Sequence, residues 1–313
     1  MAGNLTISAL LTHGIERLRV TALDADAGHR ATLNARATLN ARADTDHGAD
    51  ATLDAEVLLA HTLSMTRTQL KTHPERVVND ADARRYAELL ERRSAGEPVA
   101  YILGYRDFWT LRLAVNPSVL VPRPETELLV ERVLALGPPP PSRGPTPPRV
   151  ADLGTGSGAI ALALATERPD WSITATDISE QALTTARDNA STLGLSQIQF
   201  LQGNWFAPLA GRRFDLIASN PPYIADGDTA MQDAALKYEP QTALASGADG
   251  MSSIRQIIHS APNYLEPHGW LVLEHGFDQA EAVAHELVVR GFGHVRSHTD
   301  LAGHPRVTEA RWG

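Results

Sequence analysis

The sequence contains no cysteine and only two lysines, and both absences restrict what the chain can be. Without cysteine there is no disulfide bond, no thiolate-bound metal and no cysteine nucleophile. Because Lys71 and Lys237 are the only lysines, arginine supplies nearly all of the positive charge. The base composition of the gene accounts for this bias more simply than selection for phosphate binding does. The twelve histidines show no metal-ligand spacing with partners, so we predict no metal.

Positive charge and long apolar runs are also scarce. The formal net charge is −9, whereas proteins that bind nucleic acid usually carry a basic face that neutralises phosphates. This balance argues against a direct nucleic-acid partner, although a local basic patch would be compatible with it. No apolar run approaches the roughly 18 residues of a membrane span, and no secretory signal pattern opens the chain. We therefore expect a cytoplasmic protein without membrane contact.

Residues 1–96 have the pattern of a small helical domain. Apolar residues recur at helical spacing in three stretches: 4–18, 54–64 and 81–94. Asp80 is the expected N-cap of the third helix. The polar segment 21–50 contains the six-residue sequence ATLNAR twice in tandem. Because solenoid repeats need about 20 residues or more to form a stacking unit, we predict that 21–50 is a flexible or weakly helical insertion.

Residues 122–313 have the pattern of an α/β domain, joined to the first domain by a linker and hairpin over 97–121. A Pro-rich stretch, Gly137 to Pro148, is expected to form an exposed loop. Strand-like runs occur at 149–153, 172–176, 197–201, 214–219, 269–274, 293–298 and 306–312. Helical patterns lie between most of them, at 158–166, 179–193 and 250–265, which predicts a parallel sheet covered on both faces. The last two strands leave no room for a helix between them, so the final strand is expected to be antiparallel.

A glycine-rich loop, Asp152 to Ile160, follows the first of these strands. Glycines at this point allow a tight turn and let a ligand approach the backbone closely. Gly154, Gly156 and Ala159 also satisfy the dinucleotide pattern, so the loop alone leaves NAD and S-adenosylmethionine both open.

A carboxylate stands at the end of the first strand and another at the end of the second. Asp177 can accept the two hydroxyls of a ribose, or it can cap the helix that begins near Ser179. Asp152 can hold the amino-acid end of S-adenosylmethionine, which favours that cofactor over NAD.

The tetrapeptide Asn220-Pro221-Pro222-Tyr223 lies at the carboxyl end of the fourth strand, where ligands bind in such sheets. The two prolines fix φ and remove two backbone donors, so the carbonyls of Asn220 and Pro221 are left as acceptors. The Asn220 side chain adds an acceptor and Tyr223 adds a planar wall. Acceptors that grip a planar NH2 group can align its lone pair with a methyl donor. This pattern predicts methyl transfer to an amide-type nitrogen, with Asn220, Pro221 and Tyr223 in the catalytic centre.

With these residues identified, the chain closely resembles the peptide-chain release factor glutamine methyltransferases, the PrmC/HemK family. The matching segments lie outside 21–50: Val121 to Glu127, Asp152 to Ile160, Asn220 to Ile224, Tyr238 to Leu244, Leu273 to Gly276, and Asp300 with Arg306-Val307. The Asn-Pro-Pro-Tyr element is shared with adenine-N6 methyltransferases of DNA and RNA. The Pro-Arg-Pro-Glu-Thr-Glu and Tyr-Glu-Pro segments narrow the choice to this family.

The resemblance implies a class I (Rossmann-like, seven-stranded) S-adenosylmethionine methyltransferase domain with strand order 3-2-1-4-5-7-6, preceded by a helical substrate-docking domain. It implies N5-methylation of the glutamine in the Gly-Gly-Gln loop of bacterial class I release factors. It assigns the cofactor to Gly154 to Gly158, the ribose to Asp177 and the adenine region to Trp205. The full set that we expect to bind S-adenosylmethionine is Asp152, Gly154, Thr155, Gly156, Ser157, Gly158, Asp177, Asn204, Trp205 and Asn220. The residues that the resemblance assigns to the substrate glutamine are Asn220, Pro221, Pro222 and Tyr223. Asn204 departs from the family pattern, which often has an acidic residue there, but its amide oxygen can still accept from adenine.

Two questions stay open at the level of the sequence. Glu125 and Glu127 can contact the cofactor or substrate, or they can be helix N-terminal carboxylates after Pro124. The alternative function is an adenine-N6 methyltransferase acting on nucleic acid, for which no added basic or aromatic recognition region is visible.

Overall fold

The computed structural model describes residues 5–29, 51–137, 146–233 and 235–313. These residues form two compact units. The first unit contains the described residues up to Gly104 together with the short segment Gln232–Tyr238. The second unit contains the described residues of Tyr105–Met231 and Glu239–Gly313. Within the described ranges, no helix is both long and apolar enough to cross a membrane.

The first unit is helical. Its helices are α1 (Ile7–His29), α2 (Ala51–Leu63), α3 (Arg67–Thr72), α4 (Asp80–Ser94) and α5 (Val99–Leu103). Their apolar stripes meet in one core that includes Ile7, Leu58, Leu59, Leu70 and Leu90.

Two details of these helices differ from the sequence-based expectation. Helix α1 continues to His29, well past the predicted end at residue 18, so the start of the segment 21–50 is helical. The rest of that segment, 30–50, lies outside the described residues. Helix α4 is capped by Asn79 rather than by Asp80, because Asn79 Oδ1 accepts from Asp82 N over 2.9 Å. Asp80 lies in the first turn, where its negative charge interacts favourably with the helix dipole.

The second unit opens with an antiparallel hairpin and a helix, and then alternates strands with helices. The hairpin is β1 (Tyr105–Phe108) and β2 (Leu111–Ala114), followed by α6 (Thr126–Leu136). The parallel strands are β3 (Arg149–Leu153), β4 (Ser172–Asp177), β5 (Gln199–Gln202), β6 (Phe214–Ser219) and β7 (Leu265–Glu274). The remaining elements are α7 (Ala159–Glu167), α8 (Glu180–Thr192), α9 (Ser252–Ser260), α10 (Ala280–Arg290), β8 (Phe292–Thr299) and β9 (Pro305–Trp312).

Strands β3 to β9 form one seven-stranded sheet in the order β5-β4-β3-β6-β7-β9-β8. Strand β9 runs antiparallel to both β7 and β8. Numbered from β3, this order is 3-2-1-4-5-7-6, which confirms the predicted class I methyltransferase fold and its antiparallel last strand.

Apolar layers cover both faces of the sheet. Successive residues of a strand point to opposite faces, so Val150 packs in one core cluster and Ala151 in the other. One layer is built on α6 and α7, and the other on α9 and α10. The carboxyl ends of β3, β4, β6 and β7 therefore meet at one edge of a rigid sheet, where ligands bind in this architecture.

Two boundaries in this unit were predicted inaccurately. The helix expected over 250–265 ends at Ser260, and a 3-10 turn over Ala261–Asn263 follows it. Pro262 lies in that turn and has no backbone N–H, so the chain leaves the helix. Strand β7 consequently begins at Leu265, four residues before the predicted start. Residues 138–145 of the predicted Pro-rich loop lie outside the described residues.

Candidate active site

The glycine-rich loop is fixed to the neighbouring strand by its backbone. The N–H groups of Gly154 and Thr155 both donate to the carbonyl of Thr176, over 2.8 and 2.9 Å. Gly156 has φ +56°, and a Cβ atom at this position would meet no atom within 4 Å. At Gly156 no other atoms cover the backbone of the loop, so a ligand can approach it closely there.

Asp152 lies beneath this loop and is fully buried. Its Oδ2 atom accepts from Thr155 Oγ1 over 2.6 Å and from Ala161 N over 3.2 Å. Its Oδ1 atom is buried and has no hydrogen-bond partner among the residues that the structure describes. Burial raises the pKa of the Asp152 carboxyl to about 7. A cationic ligand group at Oδ1 would satisfy this atom and favour the ionised carboxylate.

Asp177 ends β4 and organises the neighbouring backbone. Its Oδ2 atom accepts from Gly156 N and its Oδ1 atom from Ser179 N, each over 2.9 Å. The helix cap is Ser179 itself, whose Oγ accepts from Ala182 N over 3.2 Å. Asp177 therefore does not cap α8 directly. Asp177 is half-buried and burial raises its pKa, and each of its carboxylate oxygens has a further lone pair that can accept a hydrogen bond.

Two residues predicted to lie near the adenine follow β5. The ring of Trp205 lies against the loop, because a Cβ at Gly154 would come within 3.0 Å of Trp205 Cζ3. The carbonyl of Trp205 accepts from Thr176 Oγ1 over 3.1 Å, and its φ of +47° marks a tight turn. Asn204 is exposed beside it. Ile178, which no sequence motif indicates, is 61% exposed directly after Asp177 and offers an apolar surface.

Ser157, in the glycine-rich loop, is hydrogen-bonded to a buried side chain of α8. Its carbonyl accepts from Asn189 Nδ2 over 2.9 Å. The same amide also accepts from Ala114 N and donates to Ala114 O. Asn189 is buried on α8 and was not predicted, because no local pattern distinguishes it from other polar helix residues.

The tetrapeptide Asn220 to Tyr223 lies directly beside the glycine-rich loop. Ser219 Oγ donates to Leu153 O over 2.7 Å, and these two residues immediately precede Asn220 and Gly154. Asn220 Nδ2 donates to Thr126 Oγ1 over 3.1 Å. Pro221 is buried, whereas Asn220, Pro222 and Tyr223 are half-buried.

The far end of the tetrapeptide is held by the segment after β7. Gln279 Nε2 donates to Tyr223 O over 3.0 Å, and Gln279 Oε1 accepts from Gly276 N over 2.9 Å. The Tyr223 hydroxyl reaches Glu274 Oε1 at 3.5 Å. Gln279 was not identified in the sequence, although it lies three residues beyond the Leu-Glu-His-Gly segment.

His275 belongs to that segment and is fully buried. Its Nε2 atom is 2.8 Å from Thr308 Oγ1, and its Nδ1 atom is 2.9 Å from Gly276 O. Burial lowers the pKa of His275 to about 4, so the ring is neutral at pH 7. His275 therefore joins β7 to β9 and is not placed to act as a base.

The Pro122 to Glu127 segment connects several parts of the unit. Arg123 Nη2 donates to Glu239 Oε1 over 2.7 Å, and both side chains are buried. Glu127 Oε1 accepts from Trp109 N over 2.8 Å. Glu127 therefore holds the β1–β2 turn, in addition to lying in the first turn of α6. Glu125 is the N-cap residue of α6 and makes no side-chain cap hydrogen bond.

Comparisons with known proteins give two family matches that together span most of the chain. The PrmC N-terminal domain family matches residues 31–104, and the Methyltransferase small domain family matches residues 126–299. The first match begins inside the segment 21–50, whose interpretation as an insertion stays a prediction.

Individual relatives agree with these matches. The release factor glutamine methyltransferase of Coxiella burnetii is 46% identical over 261 residues, which are 83% of this chain and 92% of that protein. The Xylella fastidiosa protein of the same name is 48% identical over 259 residues, with coverage of 83% and 92%. The chain belongs to the release factor glutamine methyltransferase family.

Solved structures support the same fold. The catalytic domain of hMettl16, solved in complex with a 3'UTR hairpin, is matched with a TM-score of 0.52 and 18% sequence identity. The match covers 76% of this chain and 85% of that one. At this identity the likeness concerns the fold alone.

Membership in the release factor glutamine methyltransferase family decides between the alternatives that the glycine pattern left open. The chain is a methyltransferase, its cofactor is S-adenosylmethionine rather than NAD, and the adenine-N6 alternative is not favoured. The residues present fit this cofactor. A buried carboxylate oxygen of Asp152, an open backbone at Gly156 and a half-buried Asp177 carboxylate offer complementary groups to an ammonium, a carboxylate and a ribose.

Proposed function

We propose that the chain methylates the side-chain amide nitrogen of a glutamine in a bacterial class I release factor, at the Gly-Gly-Gln loop. One observation carries this proposal. Asn220 stands at the carboxyl end of β6, with its amide nitrogen bonded to Thr126 and its side-chain oxygen available as an acceptor. The Ser219–Leu153 hydrogen bond keeps this acceptor beside the glycine-rich loop. Release factors act in the cytoplasm, so we propose that the chain does too.

The loop residues would hold S-adenosylmethionine, which supplies a methyl group on a positively charged sulfur. Asp152 Oδ1 would receive the ammonium, Asp177 the ribose hydroxyls, and Trp205 with Asn204 the adenine. The backbone of Gly154 to Gly158 lines the open side of the loop.

The proposed reaction depends on the side chain of Asn220 and on the backbone carbonyls of Asn220 and Pro221. An amide nitrogen is a poor nucleophile because its lone pair is delocalised into the carbonyl. Acceptors on both of its hydrogens hold the NH2 group in one orientation, and they stabilise the positive charge that develops on nitrogen. Once the new N–C bond has formed, the nitrogen is acidic and its proton leaves to water. No strong base is needed, which agrees with the neutral, buried His275.

The test is a labelled-methyl assay that offers purified release factor, free glutamine and DNA side by side. Strong labelling of the release factor alone supports the proposal, whereas labelling of DNA alone would replace it with adenine methylation. Asn220→Ala should lower single-turnover methylation by about 100-fold to 1,000-fold, a far larger effect than any loss of S-adenosylmethionine affinity. Asn116→Ala is the matched control, because Asn116 Nδ2 also donates to a threonine hydroxyl, that of Thr185. Near-normal methylation by Asn220→Ala would exclude this mechanism.

We further propose that the helical unit docks the release factor. An amide NH2 group is common to glutamine, asparagine and adenine, so the tetrapeptide alone cannot select one glutamine in one protein. The helical unit contains none of the motifs assigned to the cofactor or to the reacting amide. Binding contacts between the release factor and the helical unit, far from the reacting nitrogen, would position that nitrogen in the active site.

A chain that begins at Tyr105 tests the docking role. It should retain S-adenosylmethionine binding, measured by calorimetry, which serves as its control for folding. It should lose most of its kcat/KM on whole release factor but little on a short Gly-Gly-Gln peptide. An equal loss on both substrates would contradict the assignment.

A further inference from the structure

Thr126 lies in the Pro122 to Glu127 segment, which resembles the family but has no assigned role in the chemistry. Thr126 is the first residue of α6 and is 4% exposed. Its Oγ1 atom is 3.1 Å from Asn220 Nδ2, across 94 residues of sequence. Its backbone N–H donates to Arg123 O over 3.1 Å. The hydroxyl is therefore presented to Asn220 from a fixed helix terminus.

We propose that Thr126 is a positioning residue that holds the Asn220 side-chain amide in place through its hydroxyl. This inference rests on the proposed function, because it concerns the acceptor that grips the substrate nitrogen. By accepting from Nδ2, Thr126 Oγ1 ties the amide to the first turn of α6. Asn220 Oδ1 is then the end that is left to accept from the substrate.

The orientation matters because the two ends of an asparagine amide have nearly the same shape and opposite hydrogen-bonding character. Rotation about the last side-chain bond of asparagine is broad, so the backbone does not fix it. An amide without this hydrogen bond rotates more freely and samples orientations in which its own NH2 group, rather than its oxygen, faces the NH2 group of the substrate. The fraction of enzyme with the correct orientation limits kcat, and we expect it to affect the binding of S-adenosylmethionine much less.

The surroundings of Thr126 are rigid enough for this role. On one side, the buried Arg123–Glu239 pair joins its segment to the loop after β6. On the other side, Glu127 accepts from Trp109 N in the β1–β2 turn. Thr126 thus lies between two independent anchors, and its hydroxyl has little freedom to follow a rotating amide.

Thr126→Val tests the inference, because valine keeps the shape of threonine and removes the hydroxyl. We expect kcat on release factor to fall by about tenfold, which lies near the upper end of what one neutral hydrogen bond contributes. KM for release factor and the Kd of S-adenosylmethionine should stay within about twofold. Thr126→Ser restores the hydroxyl and should recover most of kcat. A fall in affinity with unchanged kcat, or a serine variant as slow as valine, would overturn the proposal.

Thr185→Val is the matched control. Thr185 is also a buried helical threonine whose hydroxyl accepts from an asparagine, with Asn116 Nδ2 at 3.0 Å. It lies on α8 and has no place in the proposed chemistry, so Thr185→Val should leave kcat within about twofold. If both valine variants lower kcat equally, the effect is a general loss of packing and the proposal fails.

A double-mutant cycle separates action through Asn220 from any other effect. On the Asn220→Ala background, Thr126→Val should cause no further loss of single-turnover rate. A full additional tenfold loss would show that Thr126 acts elsewhere. A wild-type chain without activity on release factor would overturn the proposed function and this inference together. An active wild type with an equally active Thr126→Val variant would overturn only the inference.

Discussion

The hydroxyl of Ser219 donates to the carbonyl of Leu153 over 2.7 Å, and both residues are fully buried. Leu153 is paired with Ser219 in the sheet and directly precedes the glycine-rich loop. Ser219 directly precedes Asn220. One hydrogen bond between adjacent strand ends thereby joins the proposed cofactor site to the proposed substrate site.

Ser219→Ala should lower kcat by about tenfold, since small displacements of reacting groups reduce rates strongly. It should also lower the free energy of unfolding by about 1–3 kcal/mol, because the buried Leu153 carbonyl loses a partner. Tyr86→Phe is the control, because it removes a buried hydroxyl that donates to Ala55 O over 3.2 Å in the helical unit. This control should lose stability without losing kcat. Equal kcat values for both variants would show that the strand-end bond does not position the site.

Asp177→Ala should weaken S-adenosylmethionine binding by about tenfold or more. Hydrogen bonds to charged groups contribute about 1.5–3 kcal/mol each, and the loss also releases Gly156 N from the carboxylate. Asp233→Ala is the control, because Asp233 Oδ1 likewise accepts from a backbone N–H group, that of Ala235 over 2.8 Å. Calorimetry should find normal cofactor affinity in the control. Unchanged affinity in Asp177→Ala would remove this residue from the cofactor site.

The fold could be predicted from sequence because its signals are local. Strand-like runs, glycines and the Asn-Pro-Pro-Tyr tetrapeptide each occupy a few consecutive residues, and the strand order followed from the family resemblance. The contacts that hold the site together are not local. Thr126 and Asn220 are 94 residues apart, and Arg123 and Glu239 are 116 apart. No periodicity indicates such a pairing, so the support of the site appears only in three dimensions.

Arg123→Ala should lower the free energy of unfolding of the second unit by about 3–5 kcal/mol. Removing one partner of a buried ion pair leaves the other charge uncompensated, and the Glu239 side chain is fully buried. Arg112→Ala is the control, because the Arg112–Asp107 pair has side chains that are 63% and 65% exposed. Exposed pairs contribute about 0–1 kcal/mol. Denaturant unfolding followed by fluorescence distinguishes the two variants, and similar midpoints would show that the buried pair adds little.

The buried carboxyl of Asp152 should make both stability and cofactor binding depend on pH. Burial raises its pKa from 3.8 to about 7, so the folded chain without ligand holds this proton more tightly than the unfolded chain. Its contribution to stability is full below about pH 4 and is lost as the pH rises through 7.

S-adenosylmethionine reverses this dependence, because its ammonium, which is charged below about pH 7.7, favours the ionised carboxylate. Its affinity should therefore fall as the pH is lowered, by about fivefold between pH 7 and pH 6. Asp152→Asn cannot ionise, so it should bind the cofactor more weakly at pH 7 and show a flat profile over this interval. Calorimetric titrations of both proteins from pH 6 to pH 7 make the comparison. If the two profiles have the same slope, another group titrates, and Asp152 does not receive the ammonium.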